Sequence, residues 1–185
     1  MCLQYSFPAY WHNFSISIGK LVADQFFNRA IIQKIRDHLI SRQETIAVAE
    51  SVTSGLLQLA LSQAENAAEF YQGGITAYNL GQKSRHLIVE PVHALSVNSV
   101  SEKVAMEMAL NVCSLFTSDW GVGITGYASP VPESKNKLFA YYAIAHKDNI
   151  VKSKKISPAK DEPFRIQQLY VSKVVEDLAG CFKSR

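Results

Sequence analysis

The stretch "TIAVAESVTSGLL", Thr45 to Leu57, decides how this chain is read. Its first five residues form a short, nearly all-apolar run, as in a strand buried on both faces of a sheet. A carboxylate, hydroxyl residues and a glycine then interrupt it. From Ser54 onward, Leu57, Ala60, Leu61 and Ala64 recur at helical spacing. Strand, turn and helix within so few residues mark an α/β unit, with Ser51 at the end of its strand.

The pattern continues on both sides. Phe27, Ile31, Ile35 and Leu39 form one apolar stripe and predict a helix before the strand. "GGITAYN" (Gly73 to Asn79) reads as a second strand and "WGVGIT" (Trp120 to Thr125) as a third. Between them, "NSVSEKVAMEMALNVCSLF" predicts a helix capped by Ser101, with Val104, Met108, Val112 and Leu115 as its stripe. "LFAYYAIA" and "NIVKSKKI", joined by "HKDN", predict a hairpin. Asp161 is expected to cap a last helix with Pro163 in its first turn and with Ile166, Tyr170, Val174 and Leu178 facing inward. Strands alternating with helices, then a hairpin, predict a three-layer α/β/α sandwich around a mixed, mainly parallel sheet of about five strands. Residues 1–25 are aromatic and polar without a clean period and read as an extension packed on the domain. Residues 26–185 read as one domain.

With 185 residues the chain is long enough for one ordinary core. A net charge of +3 and a single short basic run, "KSKK" (Lys152 to Lys155), give no case for a nucleic-acid partner. The three cysteines, Cys2, Cys113 and Cys181, are too scattered for a disulfide framework or a zinc site and fit a reducing compartment. Apolar runs fall short of the ~20 residues that span a membrane. The aromatic N-terminus lacks the pattern of a signal peptide, so a cytoplasmic protein is expected.

Ligands of open α/β sheets bind beyond the carboxyl ends of the parallel strands. Three such ends carry polar groups here: Glu50 to Gly55, Tyr78-Asn79 and Thr125-Gly126. Lys83 follows the second by about one helical turn. A serine in a strand-to-helix turn sits beside the free N–H groups of the next helix, which can hold an oxyanion or a phosphate. It needs a base. None of the five histidines falls at these strand ends, so a Ser-His-Asp triad has little support. Lys83 is the better base, provided burial lowers its pKa. Tyr78 can bridge the pair or orient a substrate. A purely structural reading of the same residues stays open: Ser51 or Thr53 caps a helix, Tyr78 packs at the sheet end and Lys83 is solvated.

At these residues the sequence resembles the C-terminal domain of the CinA (competence/damage-inducible protein) family, which includes nicotinamide-nucleotide amidases. The family's A-E-S-C-T-G-G appears as "AESVTSG", its TYSNEAK stretch as "AYNLGQK", its G-A-V-S-E as "NSVSE" and its [ST]-G-I-A-G-P loop as "TGYASP". The resemblance implies an amidohydrolase that deamidates nicotinamide mononucleotide to nicotinic acid mononucleotide and ammonia, with no metal or cofactor. It implies Ser51 as nucleophile, Lys83 as general base, and Tyr78 and Thr125 beside them. Thr53, Ser54, Gly55, Asn79 and Gly126 would border the substrate, and Arg165 would reach its phosphate. The implied partner is thus a small pyridine nucleotide, with neither nucleic acid nor membrane. Exposed sheet edges and the extension leave room for a homodimer.

Several positions depart from the family pattern. Val52 replaces the cysteine after the serine, and Ser54 the first glycine of the pair. Asn98 stands where the family has another glycine. The family loop G-P-G-G-G…K-P-V-G-T-V has become "SPVPESKNKLFAYY", without glycines after Pro130. A "G-D-R" before the last helix has become "AKD" (Ala159 to Asp161). Missing glycines that allowed a close approach to the ligand would reshape the pocket and its specificity.

Overall fold

The computed structural model describes residues 27–182; the extension read into residues 1–25 lies outside them. Five strands form one sheet: β1 (Ile46–Glu50), β2 (Tyr71–Thr76), β3 (Trp120–Tyr127), β4 (Phe139–His146) and β5 (Asn149–Ile156). Their order across the sheet is β2-β1-β3-β4-β5. β1 is parallel to both β2 and β3, whereas β4 runs antiparallel to β3 and to β5. The helices are α1 (Arg29–Arg42), α2 (Leu56–Ser62), α3 (Leu80–Leu87), α4 (Pro91–Ser96), α5 (Glu102–Phe116) and α6 (Pro163–Cys181). The three-layer α/β/α sandwich with one antiparallel strand inside the sheet is the architecture expected from the sequence.

Alternation along the strands sorts side chains between the two faces. Ile46, Val48, Trp120, Val122, Ile124, Tyr142 and Ile144 face one core, closed by α1, α2 and α6. Ala47 and Ala49, and Ala143 and Ala145, face the other side, where α5 lies on the sheet. The second face is built of small residues because α5 lies close against it. A Cβ at Gly121 would stand 2.1 Å from the Ala109 carbonyl oxygen, and one at Gly123 2.4 Å from that of Ala105. The alternating glycines of "WGVGIT" therefore let the helix approach β3.

Some boundaries differ from the sequence reading. β2 begins at Tyr71, because Ile46 and Ala47 pair with Tyr71 and Gly73 across a bulge. The six-residue α4 was not expected: Pro91 opens it, and the Glu90 carboxylate accepts from the Val92 and His93 N–H groups. Glu162, not Asp161, is the N-cap of α6; the Asp161 side chain accepts from the Glu162 N–H instead. Ser101 caps α5 as expected, accepting from the Val104 N–H. Among the described residues, no helix is long and apolar enough to cross a membrane, and no His/Cys/Asp/Glu cluster is arranged to hold a metal ion.

Candidate active site

β1, β2 and β3 end at one edge of the sheet, where a cleft of about 490 Å³ opens. Ser51 and Val52 from the end of β1, Tyr78, Asn79 and Lys83 from β2 and α3, and Gly126 and Tyr127 from β3 line it. The far wall comes from Asn98 to Val100, the loop around Ser129 to Glu133, and Pro163 and Gln167 of α6.

The turn that carries Ser51 is held by Glu50. This carboxylate is fully buried, on the face of β1 that looks toward α2. It accepts from the backbone N–H groups of Gly55 (3.2 Å), Leu57 (3.0 Å) and Gln58 (2.8 Å), and from the Thr53 hydroxyl. Four donors, three of them from the start of α2, compensate the buried charge. They also correct an expectation: these N–H groups face Glu50 and are not free to hold a phosphate or an oxyanion. In contrast, the Val52 N–H, next in chain after Ser51, has no acceptor among the described residues.

Lys83 reaches the same place from the other side. Asn79 caps α3 by accepting from the Gln82 N–H at 3.0 Å. Helical side chains lean toward the N-terminus of their helix, and the Lys83 chain follows this lean toward the end of β1. Its Nζ lies 2.9 Å from Ser51 Oγ. Lys83 is 2% exposed and Ser51 5%. Burial pulls the Lys83 pKa down to about 8, because a cation with little water around it is disfavoured. The pair is therefore a hydroxyl beside an amine whose neutral form is within reach at neutral pH.

The other residues named from the sequence divide into two groups. Tyr78, Asn79 and Gly126 are on the cleft wall. Tyr78 is 73% exposed and bonds to neither Ser51 nor Lys83, so it stands at the mouth and does not bridge the pair. Thr53, Ser54, Gly55, Thr125 and Arg165 are not on the wall. Thr53 gives its hydroxyl to Glu50. Gly55 contributes an N–H to the same carboxylate. Ser54 is exposed, with φ 51°, so its burden is a left-handed backbone and not a crowded pocket. Thr125 is fully buried and donates to the Ser99 carbonyl at 2.9 Å. Arg165 is exposed. Gln167 lines the cleft instead, because two residues along a helix turn the side chain by about 200°.

Sequence reasoning missed three further contributors. Gln167 donates through Nε2 to the Val52 carbonyl at 2.8 Å and so ties α6 to the turn that carries Ser51. One turn on, the Tyr170 hydroxyl donates to the Tyr127 carbonyl at 2.9 Å. Asn98 donates to the Tyr127 hydroxyl, also at 2.9 Å, and holds that ring at the rim. A polar residue in the opening turns of α6, beside the inward stripe that begins at Ile166, was the signal available for Gln167.

Comparison with known proteins bears on the fold and the family. The family described as the CinA C-terminal domain matches residues 28–182. A CinA-like protein of Picosynechococcus sp. is 40% identical over 114 residues, covering 62% of this chain and 27% of that protein. One from Prochlorococcus marinus (strain MIT 9515) is 29% identical over 154 residues, covering 82% of this chain and 36% of that one. The chain thus spans well under half the length of these curated relatives. Among solved structures, a CinA superfamily protein from Klebsiella pneumoniae 700603 superposes with a TM-score of 0.79 at 22% identity, covering 85% of this chain and 98% of the other. Another, from Escherichia coli, gives 0.75 at 27% identity, covering 80% and 86%. The match of the family model across nearly all described residues leads to one conclusion: the chain belongs to the CinA C-terminal domain family.

Proposed function

We propose that this domain is a serine–lysine amidohydrolase whose substrate is the carboxamide of a pyridine nucleotide, nicotinamide mononucleotide in the first instance. The observation that carries this reading is the 2.9 Å contact between Lys83 Nζ and Ser51 Oγ at the floor of a cleft. A pKa of about 8 lets the amine take a proton. Neutral Lys83 accepts the Ser51 hydroxyl proton as Oγ attacks the carboxamide carbon. The Val52 N–H is the nearest backbone donor in sequence for the developing oxyanion. Lys83 then returns the proton to the amide nitrogen, the C–N bond breaks and ammonia leaves. Water attacks the remaining ester with Lys83 again as base, which releases the carboxylate and restores Ser51.

Purified protein is expected to release ammonia from nicotinamide mononucleotide, and Ser51→Ala to lower that rate by at least about a thousandfold. Release no greater than that of the Ser51→Ala protein would sink the amidase reading. A second reading, a nucleotide-binding module without turnover, is favoured by one feature. The loop without glycines brings Val131 and Glu133 onto the cleft wall. It predicts thermal stabilisation by the same nucleotide with no ammonia formed.

A further inference from the structure

We infer that Gln167 is the residue that selects a primary carboxamide, its side-chain oxygen accepting an N–H from the amide nitrogen that departs. The inference rests on the amidase reading of Ser51 and Lys83 and names how that site tells an amide from an ester.

The orientation of Gln167 is fixed by its partner. Val52 offers a carbonyl oxygen, which only accepts, so the group 2.8 Å from it must be the NH₂ of Gln167. The side-chain oxygen then points away from that bond. Among the described residues no donor meets it, and it is not one of the buried atoms left without a partner. It is an accessible acceptor on the cleft wall, anchored to the residue that follows the nucleophile. No other amide on the wall has these properties. Asn79 uses its oxygen on the Gln82 N–H. Asn98 donates to the Tyr127 hydroxyl and not to the turn that carries Ser51.

A primary carboxamide presents two N–H donors at its nitrogen, whereas an ester presents none. A fixed acceptor in the cleft that Ser51 also lines therefore rewards the amide, and the ammonia that forms still offers it an N–H. Gln167 neither gives nor takes a proton; all proton transfers remain with Lys83.

The test is binding, measured by calorimetry in the Ser51→Ala protein so that turnover does not intervene. The probes are nicotinamide mononucleotide and its counterpart with a methyl ester in place of the carboxamide. Gln167→Met keeps length and removes both polar atoms. It is expected to weaken the amide by about tenfold and to leave the ester within about twofold. Gln167→Glu keeps an acceptor while losing the bond to Val52, so it is expected to bind both probes less tightly yet still prefer the amide. Equal weakening of both probes by Gln167→Met would mean that the side chain only holds the turn, and would overturn the inference. So would loss of amide preference in Gln167→Glu, or failure of the Ser51→Ala protein to bind the amide more tightly than the ester. Absence of ammonia release by the unmodified protein is a separate result. It sinks the amidase reading and leaves these binding ratios to decide on Gln167.

Discussion

Ser51 and Thr125 sit where neighbouring parallel strands β1 and β3 stop pairing, one residue beyond the paired Glu50 and Ile124. Both hydroxyls are buried, yet they meet different chemistry. Ser51 faces an amine at 2.9 Å on the floor of the cleft, and Thr125 faces the Ser99 carbonyl at the same distance, off the cleft wall. The difference comes from what covers each strand end. α3 sends Lys83 over β1, whereas the backbone before α5 closes over β3. What a hydroxyl meets here therefore depends on the element above it, not on its place in the sheet.

Removing the amine should break the contrast most strongly. Lys83→Met is expected to lower amide hydrolysis by about a thousandfold or more, since Ser51 loses its base. The same variant is expected to be more stable near neutral pH. The Lys83 pKa is about 8 in the folded protein and near 10.4 in an unfolded chain. Below pH 8 both states carry the proton, and the folded state bears the burial penalty. Between the two values the unfolded chain binds more protons, so stability rises with pH across that window. Relief of this penalty, less the lost hydrogen bond to Ser51, gives a gain of about 2 kcal/mol in denaturant unfolding at pH 7. On the amidase reading, the unmodified protein should show its rate rising from pH 7 and levelling above about pH 9, as the neutral amine becomes the dominant form. A flat profile, or a less stable Lys83→Met protein, would show that the amine is not held as a buried base.

Thr125→Val probes the other strand end. The isosteric change leaves the Ser99 carbonyl without its donor and is expected to cost about 1–2 kcal/mol of stability. Turnover should stay within about threefold, because Thr125 does not line the cleft. A hundredfold loss of kcat with little change in stability would place its hydroxyl in the reaction and dissolve the contrast with Ser51.

What the sequence made legible follows the same division. Period and β-branching located β1, β3, the hairpin, α5 and α6, because a long buried face leaves a repeating signal. The six-residue α4 leaves none, since one and a half turns carry no stripe; only Glu-Pro at its start marks it. In the site, Ser51 and Lys83 stood out by residue type and position. Thr125, Thr53 and Arg165 did too, and the structure turns them elsewhere. Which way a hydroxyl points depends on a partner distant in sequence, Ser99 for Thr125, and which residue of a helix meets the cleft depends on its exact rotation, Gln167 in place of Arg165. Glu50 illustrates the converse. Its role lies in the N–H groups of α2, so it serves the site while never lining the cleft.

The smallest expected effect belongs to Ser54. Its sequence position suggested a side chain intruding where a glycine had left space. The structure has it exposed, off the cleft wall and at φ 51°. A left-handed serine costs roughly 1 kcal/mol in backbone strain relative to glycine. Glycine in turn loses more conformational freedom on folding, by about 0.5–1 kcal/mol. Ser54→Gly should therefore change stability by less than about 1 kcal/mol and turnover by less than about twofold, read by thermal unfolding and ammonia release. Should turnover instead rise tenfold, the side chain obstructs the substrate's approach to Ser51. The difference between a reactive and an inert strand end would then include the room beside the nucleophile as well as the base above it.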